Sequence, residues 1–344
     1  MKIVIAGFPR SGKTTVFQSL TGLADSAAAR GGAVRGVVRV PDPRVDRLSE
    51  IYQPKKTTYA TVVFVDVADP GGADKATALS APLVGEIRDA DAIAAVIRDF
   101  PDAEPADPVK ELRTFEDELV LADLGIVEKR LERLIKEAKK TAEEPLLARV
   151  VEWLGDGKPL RSATIAPVET KLLSGYQLAS AKPLLVLLNR SEADAAKPIP
   201  DAFLAVVHEH GAQAISLSAV LEREIAELPP QDQAAFLRDA GLVDSARDRF
   251  VRAAYGMLDL VSFLTSGEDE VRAWTIRRGT PAQAAAGKIH SDIEKGFIRA
   301  EVVAYDDFIR CGSEAECKKA GKTRLEGKEY VVADGDIVHF RFNV

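Results

Sequence analysis

KIVIAGFPRSGKTTVFQSL, residues 2–20, is the stretch that decides the fold. KIVIA is a short apolar run suited to a buried parallel strand, and KTTVFQSLTGL places Val16, Phe17 and Leu20 at helical spacing. Between them, Gly7-Phe-Pro-Arg-Ser-Gly12-Lys13-Thr14 satisfies G-x-x-x-x-G-K-S/T in the strand, loop and helix context that the pattern requires. The glycines let backbone N–H groups turn inward around phosphates, where a helix N-terminus adds partial positive charge. Lys13 is then the candidate catalytic residue, setting its charge against β/γ-phosphate oxygens, and the Thr14 hydroxyl is a candidate Mg²⁺ ligand. The candidate nucleotide-binding residues of this loop are Gly7, Pro9, Arg10, Ser11, Gly12, Lys13, Thr14 and Thr15.

Working outward, ATVVFVDVADPGG (60–72) reads as a strand ending at Asp66, a position from which a carboxylate can hold Mg²⁺. Apolar runs at 92–100, 183–190 and 212–219 alternate with helical stretches, which predicts a doubly wound, mostly parallel α/β sheet of the P-loop NTPase type. The run PLLVLLNR leads into Asn189-Arg190-Ser191-Glu192, where GTPase-type switches carry N-K-x-D. Glu192 is one methylene longer than Asp and Arg190 replaces Lys, so guanine specificity is expected to be lost or relaxed. Asn189 keeps the capacity to bond a purine edge, and Ser218 and Ala219 stand where such folds turn backbone N–H groups to the base.

At 344 residues and 46% hydrophobic, the chain can build two or three cores. It opens on MKIVIAG without a basic leader, and no apolar run nears the roughly 20 residues of a membrane span, so a soluble intracellular protein is expected. A net charge of -7 argues against coating nucleic acid by bulk electrostatics, and no DNA sequence readout is expected. Cys311 and Cys317 suggest neither a disulfide framework nor a zinc site.

Residues 110–180 read as an inserted helical hairpin of coiled-coil character: Leu119, Leu124, Ile126, Val127, Leu131, Leu134 and Ile135 recur among dense charges, and 145–154 can return. Further on, VRAWTI (271–276) alternates like a strand, and YVVADGDIVHFRF reads as two strands joined by an Ala-Asp-Gly-Asp turn. Lys288, His290, Lys295 and Arg299 suggest a basic face beside Phe297, with His290 read as positioning a loop. Lys318, Lys319, Lys322, Arg324 and Lys328 form a second basic cluster that neighbouring acids offset.

The N-x-x-E motif, VPDPRVDRLSEIYQPKKT (40–57), EVRAWTIRRGT (270–280), AAGKIHSDIEKGFIRAEVVAYDDF (285–308) and AGKTRLEGKEYVVADGDIVHFRFNV (320–344) together resemble the YchF or Obg-like ATPase family over almost the whole chain. The resemblance implies an ATP-preferring protein of three parts: a nucleotide domain (1–109 and 181–260), the hairpin (110–180), and a TGS-type, ubiquitin-like β-grasp domain of α+β class (261–344). It also implies a cytoplasmic protein with Mg²⁺ and ATP or ADP as ligands, and the ribosome or rRNA as a partner of hairpin and tail.

The chain departs from that family in its switches. Where D-x-A-G is expected it has Asp66-Val67-Ala68-Asp69, whose last carboxylate would repel a terminal phosphate unless Gly71 or Gly72 takes over. No threonine lies between Thr21 and Thr57 to cap the metal; Ser26 substitutes only if the alignment slides, and Arg30 or Arg35 is a candidate cis arginine. No Ras-like glutamine follows Asp66, so hydrolysis is expected to be slow, resting on Lys13, Mg²⁺ and positioning. Three readings stand: a slow ATPase switch associated with translation, a nucleotide-binding module without turnover, and a GTP-binding protein.

Overall fold

Short β-branched runs become strands and the charged, Leu-rich stretches become helices. The computed structural model describes residues 1–23, 32–67, 77–102, 104–137 and 142–343. Its strands are β1 (Lys2–Ala6), β2 (Ala33–Arg39), β3 (Lys56–Thr58), β4 (Thr61–Val67), β5 (Ala92–Asp99), β6 (Leu184–Arg190), β7 (Gln213–Leu217), β8 (Leu260–Thr265), β9 (Glu270–Arg277), β10 (Phe297–Ala304), β11 (Arg324–Glu326) and β12 (Asp336–Phe342). They form two six-stranded sheets, ordered β2-β4-β1-β5-β6-β7 and β11-β10-β12-β8-β9-β3.

In the first sheet β1 lies between parallel β4 and β5, and β6 and β7 continue the parallel pairing. Every residue of β6 is buried, as a strand covered on both faces requires, and this accounts for its unbroken apolar run. Ile5 sits opposite Asp66, so the glycine-rich loop leaves β1 beside the carboxyl end of β4. Ligands of open α/β sheets bind at that edge.

Two compact units result, residues 1–38 with 62–254 and residues 39–61 with 255–344. The segment 39–61, expected with the nucleotide part, therefore groups with the C-terminal sheet. The cause is local: β3 pairs in parallel with β9, and Thr58 Oγ1 donates to Glu270 at 2.6 Å. Arg44 adds a fork, donating to Asp42 at 2.8 Å and to Asp334 at 2.9 Å.

The long helix Pro108–Lys136 starts at the N-cap Asp107, whose side chain accepts from Lys110 N–H. Its first turns put Leu112, Phe115 and Leu119 into the core of the first sheet. Only further along do Val127 and Leu134 pack against Leu147, Val150 and Leu154 of the returning helix Glu143–Gly155, while Ile135, expected on the apolar stripe, is exposed. The hairpin thus grows out of the nucleotide unit's own core. Its root holds a buried ion pair: Arg161 Nη1 reaches both Glu116 oxygens at 2.6 and 2.8 Å, and Nε donates to Lys182 C=O at 2.7 Å. Asp123, wholly buried, accepts from Ala179 and Ser180 N–H at 2.9 and 2.7 Å, and burial holds its carboxyl above the ordinary range.

The second sheet is mixed, with β12–β8 parallel and β8–β9, β10–β12 and β10–β11 antiparallel. The expected pair of strands in YVVADGDIVHFRF is corrected: only β12 is a strand, and Val331 makes an isolated bridge with Pro281. The turn is fastened elsewhere, since Asp334 accepts from Ser262 N–H at 2.9 Å and Asp336 accepts from Tyr330 OH at 2.6 Å. Phe297 lies in this unit's core rather than beside a basic face, because it packs with Val302, Val338 and Phe340. His290 N-caps the helix Ser291–Lys295 through Nδ1, a loop-positioning role.

Two stability predictions follow from these contacts. Arg161→Met strands the Glu116 carboxylate in the core and is expected to cost about 3–5 kcal/mol in denaturant titration. His339 lies 3.3 Å from the Glu314 carboxylate, which raises its pKa above the ordinary 6.5. That contribution is fully present below the unfolded pKa and is lost as pH rises through the folded one. Stability should therefore fall by roughly 0.2–1 kcal/mol as pH rises from below the ordinary 6.5 to well above it, a slope that His339→Gln removes.

Candidate nucleotide site

The loop after β1 owes its shape to two glycines that no other residue can replace. Gly7 has φ +143°, and a Cβ there would lie 2.4 Å from Val96 C=O. Gly12 has φ +93°, and a Cβ would lie 2.3 Å from Asn189 Nδ2. Both positions combine a positive φ with a neighbour at closest approach. Arg10 also has a positive φ, of 65°, and its exposed guanidinium pairs with Asp102 at 2.7 Å. Pro9 and Thr15 are half-buried, and the buried Ser11 hydroxyl makes no hydrogen bond among the described residues.

Lys13 opens the helix Lys13–Thr21 and curls back into the loop. Its ammonium donates to Gly7 C=O at 2.8 Å and Phe8 C=O at 2.9 Å, and the residue is only 8% exposed. Thr14 Oγ1 lies 3.5 Å from Asp66 Oδ2, so a hydroxyl from the first turn of this helix and a carboxylate near the end of β4 converge. Glu111, on the long helix, accepts from Arg98 N–H at 3.1 Å; burial raises its carboxyl, and the charges of Arg98 and Lys13 pull the other way.

On the base side, Asn189 Nδ2 donates to Ser11 C=O at 2.9 Å and Asn189 Oδ1 accepts from Ala219 N–H at 3.0 Å. Ala219 N–H, expected to face a base, is turned to Asn189 instead. Ser218 caps the helix Ala219–Glu227 with its hydroxyl. Glu192 is exposed in a short 3₁₀ turn, whereas Arg190 is 7% exposed and directed to Asp99 and the loop beyond it. Arg35 pairs with Glu86 at 2.9 Å, away from the glycine-rich loop. Ser26, Arg30, Asp69, Gly71 and Gly72 lie outside the described residues.

Sequence reasoning passed over Asp99, Glu111 and Glu118. Asp99 had a signal, since like Asp66 it closes an apolar run. Glu118 accepts from Ala78 N–H at 3.0 Å and Leu79 N–H at 2.8 Å ahead of the helix Ala81–Arg88, and nothing in a charged helical stretch marks it out.

A glycine-shaped loop on β1, a carboxylate on β4 and an asparagine that ties the loop to β6 and β7 define a P-loop nucleotide-binding protein. The C-terminal family model YchF-GTPase_C, described as a protein of unknown function, matches residues 260–343. The ribosome-binding ATPase YchF of Bacillus subtilis (strain 168) is 40% identical over 99% of this chain and 98% of its own. Obg-like ATPase 1 of Oryza sativa subsp. japonica is 36% identical over 100% of this chain and 92% of its own. The solved structure of the Schizosaccharomyces pombe YchF GTPase superposes with TM-score 0.88 at 31% identity, covering 99% of this chain and 97% of that one. The chain belongs to the YchF/Obg-like ATPase family.

Gly12→Ala should break the loop, because the added methyl meets Asn189 while the residue stays at positive φ. A loss of about 1–3 kcal/mol in stability is expected from the backbone alone. Calorimetry should also show ADP binding weakened by about the same energy, roughly 5- to 150-fold.

Proposed function

We propose that the chain binds ATP with Mg²⁺, hydrolyses it slowly, and uses the nucleotide state to govern its contacts with the ribosome. One observation carries this reading: the Lys13 ammonium is held inside the loop by Gly7 and Phe8 carbonyls, beside Thr14 and Asp66. A terminal phosphate would take that ammonium over from the two carbonyls, gaining a full charge in place of dipoles. Thr14 and Asp66 offer hard oxygen donors of the kind Mg²⁺ prefers, so they would hold the ion. When bound, the ion would neutralise charge on the phosphates.

The residues of this chain then divide the work. Backbone N–H groups of the loop cradle phosphates, and Gly7 and Gly12 permit their close approach. Lys13 sets charge against the transferred phosphoryl group and is the proposed catalytic residue. Asn189 keeps the loop and the Ser218–Ala219 turn in one register, and Glu192 is the proposed discriminator for adenine over guanine. Positioning and fixed charge supply the rate, with no side chain assigned to take a proton from water. The relatives named as a ribosome-binding ATPase and as an Obg-like ATPase support the same reading. Hairpin and TGS-type tail are the proposed ribosome- or rRNA-facing parts, and the cytoplasm the proposed compartment.

A second reading, binding without turnover, is favoured by one feature: no threonine lies between Thr21 and Thr57 to complete the metal's shell. Steady-state phosphate release separates the two. Lys13→Ala is expected to lower ATP turnover about a hundredfold, the scale of losing one preorganised charge partner. Equal rates for both proteins would end the enzyme reading, and ATP uptake without release would favour the second. Competition of ADP against GDP tests the preference for adenine, and co-sedimentation with ribosomes, with and without a non-hydrolysable ATP analogue, tests the switch.

A further inference from the structure

Arg190 stands where related switches present a lysine to the base, yet its side chain is bonded to Asp99 and to carbonyls of the loop that follows it. Successive residues of a strand point to opposite faces, and Asn189 has already taken the face toward the glycine-rich loop. Arg190 goes the other way and is 7% exposed. Its Nε donates to Asp99 Oδ2 at 2.8 Å, and Asp99 is its register partner across β5 and β6. Its Nη1 donates to Lys197 C=O at 2.9 Å and Pro198 C=O at 3.1 Å, with Asp194 C=O at 3.4 Å. The 191–198 loop is therefore wrapped around one guanidinium.

The rest of that loop is equally fixed. Ser191 Oγ donates to Asp194 Oδ2 at 2.7 Å, Lys197 pairs with Asp194, and Ala195 is buried beside Leu221 and Ile225. Glu192, on the 3₁₀ turn between these anchors, is left exposed, and of the loop's exposed residues (Ala193, Ala196, Lys197 and Pro198 besides) it alone carries a carboxylate.

We propose that Arg190 is a positioning residue for base selection: it fixes the 191–198 loop through Asp99 and the loop carbonyls so that Glu192 meets the purine edge in one geometry. The assignment rests on the reading that Glu192 discriminates the base. A guanidinium suits the task because its planar fork carries five N–H donors with fixed directions, enough for a carboxylate on one side and carbonyls on another. A lysine ammonium is a point charge on a flexible stem and cannot span both sets, so Arg190→Lys is a severe change here despite the conserved charge.

The test compares dissociation constants of ADP, GDP and inorganic tripolyphosphate for the wild-type chain, Arg190→Lys, Arg190→Met and Asp99→Asn, with melting temperatures alongside. ADP binding should weaken about tenfold in each variant, the scale of losing a hydrogen bond to a charged group, and the ADP-to-GDP ratio should shrink toward one. Tripolyphosphate, which touches only the loop after β1, should bind as in the wild type. Arg190→Lys combined with Asp99→Asn should be no worse than either alone, since both act through one contact. An unchanged ADP-to-GDP ratio in Arg190→Lys and Asp99→Asn, whatever happens to melting temperature, would overturn the assignment. So would a parallel loss of tripolyphosphate, which would mean that the arginine merely supports the fold. A wild-type chain that binds tripolyphosphate but shows no base preference overturns the reading of Glu192 itself, a result visible before any variant is made.

Discussion

The Asn189 side chain is the contact on which the nucleotide unit depends. A single amide reaches back to the loop after β1 through Ser11 C=O and across to the start of a helix after β7 through Ala219 N–H. Three segments widely spaced in the chain are thereby held at one point, and that point is only 4% exposed. In so dry a place an unmade hydrogen bond costs more than the bond contributes when made, so the three segments move together or not at all. The same amide explains Gly12, whose missing side chain is the space Asn189 occupies. Glycine is therefore required by packing as well as by phosphate access.

The inner strands β1, β5 and β6 of the first sheet were legible because they are buried on both faces, and such strands must be continuously apolar. The edge strand β2 alternates buried and exposed residues and carried no such signal. The site was legible where it rests on backbone geometry: Gly7, Gly12 and Lys13 lie in a pattern whose spacing follows from loop and helix. Side chains that serve as hidden acceptors could not be read the same way. Glu111, Glu116, Glu118 and Asp123 all sit on the long helix, in a stretch that looks like a solvated face. Each instead engages the nucleotide unit: Glu111 takes Arg98 N–H, Glu116 pairs with Arg161, Glu118 takes Ala78 and Leu79 N–H, and Asp123 takes Ala179 and Ser180 N–H. A carboxylate that accepts a backbone N–H has the same letter as one that faces water, and only the fold tells them apart.

Arg190 and the Ala-Asp-Gly-Asp turn show the same limit from another side. The arginine's position suggested a base contact, but strand alternation and the Asp99 carboxylate draw it to the opposite face. The turn has the composition of a hairpin, yet Asp334 and Asp336 spend their oxygens on Ser262 N–H, Ala333 N–H and Tyr330 OH, which removes the first strand of the pair. In both cases a charged group found a nearer partner than local pattern allowed for.

The pairing of β3 with β9 has a consequence for how the chain is made. Lys56 meets Glu270, so an edge of the second sheet is synthesised more than two hundred positions before the strand it completes. At elongation rates of about 5–20 residues per second, that segment waits roughly ten to forty seconds on the nascent chain. Lys56-Thr57-Thr58 is short and polar, with Lys56 and Thr57 exposed even when docked, so it can wait in water without recruiting a foreign strand. The C-terminal unit is in this sense finished by its earliest part, and β3 stays without its partner until β9 has been made.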